Sequence, residues 1–264
     1  MSKSKAFGIV STDLNFSRQA CLISSIKPIF CALVLMVTML CSSGLHADNY
    51  GDPRDPWEGV NRSVFAFNEV TDAYLLKPVA RGYRKVTPAI VDQGIANFFN
   101  NIGEIKNAGN DILQGQGEGA LVDAGRFVIN TTVGLLGFFD VASYIGLKRE
   151  SEDFGQTLAV WGVETGPYLV LPIFGPSTLR DGVGRVVDSY SSVTNSIDPE
   201  QVSYGMTALD LLQTRASLLA TEGLVTGDKY TFFKDAYLQR REFLINDGQL
   251  KDDFGDEDFE SFDF

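Results

Sequence analysis

The stretch GRFVINTTVGLLGFFDVASYIGL, Gly125–Leu147, decides how this chain of 264 residues is expected to fold. Its middle part, Phe127–Phe139, has no charged residue and is bounded by Arg126 and Asp140. A helix that crosses a bilayer needs about 20 apolar residues, so this run is too short for a full span. Runs of this length are typical of a core helix or of a re-entrant or interfacial segment. The rest of the chain must decide between a protein core and a membrane surface.

The first 47 residues have the composition of an export signal. Four basic residues precede or flank the apolar run Ile29–Leu40, and Ala47 offers a small residue at the cut. We therefore expect a cleaved signal peptide over 1–47, with an uncleaved anchor helix as the alternative. Cys41 is a candidate for lipidation, but Thr38-Met39-Leu40 before it matches a lipoprotein signal poorly. An unlipidated mature chain is therefore favoured.

Cleavage after this leader would remove all three cysteines and the only histidine. Disulfides, thiolate chemistry, a Ser-His-Asp triad and the usual zinc ligands would then be excluded. We therefore predict no catalytic residue, no metal site and no cofactor. Of the 22 basic and 34 acidic residues, the leader holds four and one, which leaves a net charge of −15. So acidic a protein is a poor candidate for binding nucleic acid or for adhering to anionic membranes by charge.

Two weak motifs do not change this interpretation. The glycine-rich segment 114–119 (QGQGEG) lacks the dinucleotide-binding spacing, and no predicted strand precedes it. The acidic residues Glu150, Glu152 and Asp153 could supply the two carboxylates of a glycosidase, but they lie on a charged connection. We therefore expect the protein not to be an enzyme.

Helical periodicity dominates the mature chain, which we assign to one helical domain over 48–248. Capping signals at Asp55-Pro56 and Asp198-Pro199 predict two helix starts. In Gly166–Pro176, three prolines exclude a long helix and favour an edge strand or a hairpin-like loop. The predicted fold class is therefore mainly α, a bundle of short amphipathic helices with one extended segment near 166–176. Further predicted helical stretches are 88–101, 104–113, 119–133, 177–190 and 228–246.

The last sixteen residues, 249–264, differ in composition from the rest. Their sequence, QLKDDFGDEDFESFDF, combines a high density of acidic residues with four phenylalanines. This composition favours disorder. A solvated tail is one interpretation, and an acidic peptide that docks its phenylalanines on a basic partner with an apolar groove is the other.

The predicted mature chain contains the stretch DPWEGVNRSVFAFN from Asp55 onward. Further stretches of the same kind are KPVARGYRKVTP, IANFFNNIGEIKNAGNDILQG, RFVINTTVGLLGFFDVAS, EDFGQTLAVWGVETGPYLVLPIFGPSTLRDGVGRVVD, TRASLL and AYLQRREFL. With these stretches, which span about residues 52–247, the chain resembles the MlaA (VacJ) family of outer-membrane proteins of Gram-negative bacteria.

The resemblance implies a mostly helical, ring-like protein lodged in the inner leaflet of the outer membrane, at its periplasmic face. Such a protein removes phospholipid misplaced in the outer leaflet and passes it to a soluble periplasmic carrier, which maintains lipid asymmetry. Members of the family associate with trimeric porins. The expected partners are therefore phospholipid, a trimeric outer-membrane porin and the carrier. Two alternatives stay open: a soluble periplasmic lipid-binding carrier, and a porin-associated scaffold without a lipid path.

Three groups of candidate site residues follow from this hypothesis. A path for phospholipid should be amphipathic, and the first helix offers Asn61, Arg62, Phe65, Phe67 and Asn68. The residues expected to face the membrane are Phe127, Leu135, Leu136, Phe138 and Phe139. The residues expected to bind headgroups or an acidic carrier are Lys77, Arg81, Arg84 and Lys85. Each group also has a purely structural interpretation, as polar surface, apolar core or an ordinary solvated face.

Overall fold

Helices form most of the part of the chain that this computed structural model describes, residues 52–225, 227–246 and 248. The α-helices are α1 (Glu58–Thr71), α2 (Lys77–Val86), α3 (Ala89–Gln114), α4 (Gly117–Thr132), α5 (Val141–Tyr144), α6 (Phe154–Val160), α7 (Leu179–Ser191), α8 (Glu200–Ser217) and α9 (Lys229–Ile245). A π-helical segment is Asp72–Leu76, and 3₁₀ turns are Val193–Ser196, Leu218–Ala220 and Glu222–Leu224. The strands are β1 (Tyr168–Leu171) and β2 (Gly175–Thr178). The predicted mainly α fold with one hairpin is confirmed.

Three sequence predictions concern residues outside this described part of the chain. They are the signal peptide over 1–47, the candidate lipidation site Cys41, and the acidic tail over 249–264.

The start of α1 differs from the predicted capping box. The helix begins at Glu58, and no side chain caps its first turn. Asp55 is instead buried, and it accepts hydrogen bonds from Asn61 Nδ2 at 2.8 Å and from the Tyr230 hydroxyl. Asp55, which the local sequence predicted to cap the helix, is therefore used in a long-range hydrogen bond to Tyr230 instead. The capping box predicted before α8 does not form either.

One continuous helix, α3, replaces the two shorter helices that the sequence predicted over 88–101 and 104–113. Its 26 residues pass through Gly103 without a break, and α4 packs against α3. The helix ends at Gly115, whose φ of 80° is left-handed. Glycine adopts this conformation without a steric penalty, so it provides the usual end of a helix before the chain turns.

The uncharged run Phe127–Phe139 is divided between a helix and a turn. α4 ends at Thr132, and the three residues Leu135–Gly137 have φ values of 53°, 59° and 89°. Left-handed residues cannot continue a right-handed helix, so the chain turns back here. The flanking charges then meet, because Arg126 Nη2 donates to Asp140 at 3.2 Å. The segment therefore folds back on itself, and no described helix is long and apolar enough to cross a bilayer.

The two strands form an antiparallel hairpin whose register pairs Tyr168 with Thr178 and Leu171 with Gly175. α1 packs against β1, and α9 packs against β2. A small hydrophobic cluster lies between these elements, formed by Val64, Tyr168, Val170 and Tyr230. The hairpin is thus the part of the fold around which the first and last helices assemble.

Burial is inverted relative to an ordinary soluble domain. Among the described residues, 21 polar or charged side chains are buried, against eight hydrophobic ones. In the same part of the chain, 38 large hydrophobic side chains are exposed. Large apolar surfaces mark sites of protein or membrane interaction. The polar interior and the apolar surface therefore suit a protein whose outside meets a membrane or a protein partner.

Candidate functional site

An amphipathic groove with a volume of about 650 Å³ opens between α1, the hairpin, α8 and α9. Phe65 of α1, Ile173 of the hairpin turn, and Phe232 and Phe233 of α9 form its apolar walls. The ring centroids of Phe65 and Phe233 lie 5.9 Å apart, and those of Phe232 and Phe233 lie 5.8 Å apart. Concave sites with apolar walls and a few polar groups are typical of ligand binding.

Ion pairs occupy the polar side of this groove. Arg215 of α8 donates through Nε and Nη2 to the two oxygens of Asp72, at 2.5 and 2.7 Å, and also to Glu222. Lys77 Nζ lies 2.6 Å from Glu222 Oε2. Because all four side chains line the groove, the pairing connects the π-helical segment, α2, α8 and the turn after α8.

A further ion pair among the lining residues of the groove joins α9 to α1. Lys229 Nζ lies 2.7 Å from Glu69 Oε1, and both side chains are substantially exposed to solvent. The hydrogen bond to Glu69 raises the pKa of Lys229. The groove thus presents three cations and three carboxylates, which gives it a formal net charge of zero.

Pairing also favours the charged forms within the inner network. The hydrogen bond from Lys77, followed by that from Arg215, holds the pKa of the Glu222 carboxyl below its usual value. The bond to Asp72 raises the pKa of the Arg215 guanidinium further. Opposite charges at hydrogen-bond distance favour the ionised forms of both partners.

Two of the predicted lipid-path residues hold the hairpin wall of the groove. Asn68 donates to the Leu171 carbonyl oxygen at 2.9 Å and accepts from the Ile173 amide at 2.7 Å. Asn61 lies about two helical turns earlier on α1. It donates to the Tyr168 carbonyl oxygen and accepts from the Val170 amide. Asn68 lines the groove, whereas Asn61 lies outside its lining and is buried.

The other predicted lipid-path residues are divided in the same way. Phe65 lines the groove, while Arg62 and Phe67 lie outside its lining. Arg62 pairs with Glu58 at 2.7 Å and with Asp228 at 2.8 Å. Of the five candidates, the structure therefore brings Phe65 and Asn68 to the groove.

The residues predicted to face the membrane also fall into two sets. Leu135 and Leu136 are each 67% exposed, and Phe139 is 43% exposed. Phe127 and Phe138 are only partly exposed. The Phe138 ring fills the space beside Gly94 of α3, where an added Cβ would lie 2.1 Å from its Cε2 atom. Phe138 therefore packs against α3 instead of facing outward, because the turn points it back at the helix.

The predicted basic cluster does not form one surface patch. Lys77 is partly buried in the groove, whereas the other three members, Arg81, Arg84 and Lys85, are exposed along α2. The sequence missed Arg215, Asp72, Glu222 and Lys229 as site residues. Arg215 and Asp72 lie 143 residues apart, so no local spacing could have paired them. The sequence offered a signal for Arg215 alone, which belongs to the TRASLL stretch that carries the family resemblance.

A helical body with a polar interior, an apolar surface and an amphipathic groove has the features expected of a lipid-associated protein. The profile of the MlaA lipoprotein family matches residues 53–244, and the chain belongs to this family. The family predicted from the sequence is thereby confirmed.

Individual relatives agree with this assignment. The intermembrane phospholipid transport system lipoprotein MlaA of Escherichia coli (strain K12) is 37% identical over 226 residues, covering 83% of this chain and 90% of that protein. The protein of the same name from Haemophilus influenzae is 35% identical over 234 residues, covering 85% and 92%. A solved structure concerned with the maintenance of bacterial outer membrane lipid asymmetry matches with a TM-score of 0.65 and 37% identity, covering 73% of this chain and 99% of that chain.

Proposed function

We propose that this protein is the outer-membrane component of an intermembrane phospholipid transport system. It removes phospholipid misplaced in the outer leaflet, passes it through the amphipathic groove and hands it to a soluble periplasmic carrier. The observation that carries this proposal is the groove, whose lining combines aromatic side chains with ion pairs. Relatives named for phospholipid transport support the same function.

The arrangement of the groove suits a molecule with a charged head and apolar tails. Lys77 and Arg215 can donate to a phosphate, while acyl chains lie against Phe65, Phe232 and Phe233. Asn68 keeps the hairpin wall in place beside the path. Movement of lipid down a gradient needs no energy source in the protein itself, so these residues need only bind, orient and release.

The inverted burial supports a position in one leaflet of the outer membrane, at the periplasmic face. Exposed Leu135 and Leu136 would lie among acyl chains, and Asp140 would mark the return toward water because a charge is costly in hydrocarbon. Export through a cleaved signal peptide is part of the proposal. The relatives are named lipoproteins, so Cys41 is the residue to test for an acyl anchor, against the unlipidated chain that its sequence context favours.

A trimeric porin and a periplasmic carrier are the proposed protein partners. The porin would cover part of the exposed apolar surface, which no described element of this chain covers. The exposed basic residues of α2, Arg81, Arg84 and Lys85, would meet either lipid headgroups or an acidic carrier.

The test of the lipid path compares two phenylalanines of α9. Phe233 lies in the groove and is 39% exposed, whereas Phe243 lies outside the groove and is 40% exposed. Cells whose only copy of the protein carries Phe233→Asp should accumulate phospholipid at their surface. A carboxylate in the apolar wall makes the binding of acyl chains there unfavourable. Cells with Phe243→Asp, the matched control, should not show this accumulation. The readout is labelling of surface-accessible phospholipid, with membrane fractionation to verify that both variants are inserted.

Full activity of both variants would refute the path and favour the scaffold alternative. A soluble carrier would be favoured if the mature protein fractionated with the periplasm and carried lipid there. Mass spectrometry of the mature amino terminus in the same fractions would determine cleavage after Ala47 and acylation of Cys41 together.

A further inference from the structure

The ion pairs of the groove leave hydrogen-bonding capacity on both signs of charge. A lysine ammonium has three donors, and Lys77 and Lys229 each have one carboxylate contact at 2.6 to 2.7 Å. Arg215 pairs through Nε and Nη2, which leaves Nη1 as a further donor. A carboxylate offers about four lone-pair sites, so Glu69 and Glu222 can each accept another hydrogen bond.

This arrangement is complementary to a zwitterion and not to an isolated anion. A phosphate placed at the cations would bring its own charge next to Asp72 and Glu222, which already balance them. An ammonium group on the same ligand would meet those carboxylates and restore neutrality. The surrounding protein adds to this preference, because a mature chain with a net charge of −15 repels a ligand that carries net negative charge.

We infer that the groove selects zwitterionic phospholipids whose headgroup carries a primary ammonium, such as phosphatidylethanolamine, over anionic ones such as phosphatidylglycerol. This inference rests on the proposed lipid path and adds the class of headgroup. Phosphatidylcholine should bind less well than phosphatidylethanolamine, because its trimethylated nitrogen is charged but has no N–H group to donate to Glu69 or Glu222. Net charge and hydrogen bonding thus make separate contributions to selection.

The experiment is a competition between lipids with identical acyl chains. The purified mature protein is equilibrated in detergent micelles with equal amounts of dioleoyl phosphatidylethanolamine, phosphatidylglycerol and phosphatidylcholine, and the bound lipid is quantified by mass spectrometry. The expected preference for phosphatidylethanolamine over phosphatidylglycerol is about tenfold, the order of magnitude of one partly screened charge contact. Raising the salt concentration should reduce this ratio.

Two variants separate charge selection from damage to the site. Glu69→Gln and Lys229→Gln each break the same exposed ion pair. Glu69→Gln makes the groove net positive and should lower the ratio about tenfold, whereas Lys229→Gln makes it net negative and should raise the ratio. A merely structural effect of the broken pair would move both ratios in one direction. Glu118→Gln, an exposed change on α4 outside the groove lining, is the control for total charge and should shift the ratio far less than Glu69→Gln does.

Equal binding of both lipids, or a preference for phosphatidylglycerol, would overturn the headgroup inference and leave the transport proposal intact. The headgroup inference would also be overturned if Glu69→Gln and Lys229→Gln shifted the ratio in the same direction. Failure of the wild-type protein to bind any of the three lipids would instead overturn the transport proposal itself.

Discussion

Replacing Asp123 by asparagine should stabilise the protein, and the gain should grow with pH. Asp123 lies on α4 and is 2% exposed, and its Oδ2 atom has no hydrogen-bond partner among the described residues. Burial, followed by the charges of Glu104 and Asp111, raises the pKa of its carboxyl from 3.8 to about 7, against the opposing effect of Arg126. The structure therefore contains a carboxyl that is costly to ionise.

The sign of the pH dependence follows from proton binding. A carboxyl with a raised pKa binds its proton more tightly in the folded protein than in the unfolded chain. Its contribution to stability is fully present below the unfolded pKa of 3.8 and is lost as the pH rises through about 7. Each unit of pKa difference corresponds to about 1.4 kcal/mol, so the loss reaches about 4 kcal/mol above neutral pH. Asparagine has no proton to lose, so the variant should keep this stability.

Urea titration of the purified protein in detergent micelles, followed by tryptophan fluorescence, measures the effect. Between about pH 5 and pH 8, the difference in unfolding free energy between Asp123→Asn and wild type should grow by about 2–3 kcal/mol. Glu118→Gln, an exposed carboxylate change on the same helix, should show no such growth. If the curves of Asp123→Asn and wild type ran parallel over this range, the carboxyl would not be titrating as its burial requires.

Two further predictions use the same titration. Gly94→Ala should destabilise the protein by about 1–3 kcal/mol, because the new Cβ would lie 2.1 Å from the Phe138 ring. Gly109→Ala in the same helix meets no described atom within 4 Å and should stabilise by about 0.5–1 kcal/mol, so equal effects would contradict the position of that ring. Arg126→Met should cost about 3–5 kcal/mol, since it removes the 2.8 Å partner of the fully buried Glu104. A variant as stable as wild type would show that this buried charge is balanced elsewhere.

Local patterns were enough to predict the fold class but not the ends of its elements. Prolines within Gly166–Pro176 correctly predicted the hairpin-like segment, because proline excludes a long helix wherever it stands. The capping box at Asp55 failed, since this carboxylate bonds to Tyr230, 175 residues away. The residues of the groove could likewise be predicted only where local sequence brings them together. Phe65 and Asn68 could be chosen from one helix, whereas Arg215 reaches the site only through the tertiary fold.

Helix α3 shows why the sequence alone could not predict which face of a helix packs into the protein interior. Its buried residues include Asn101, Glu104, Asn107 and Asp111, whose spacing of three or four residues places them on one face of the helix. On the same helix, Ile112 is 69% exposed. Periodicity identifies an apolar face and a polar face, but it does not specify whether the apolar face meets protein or lipid. The same spacing fits a helix in water, whose apolar face points inward, and a helix among acyl chains, whose apolar face points outward. The polar face then packs inward through ion pairs such as Glu104 with Arg126, and the apolar face becomes the surface that a membrane or a partner protein must cover.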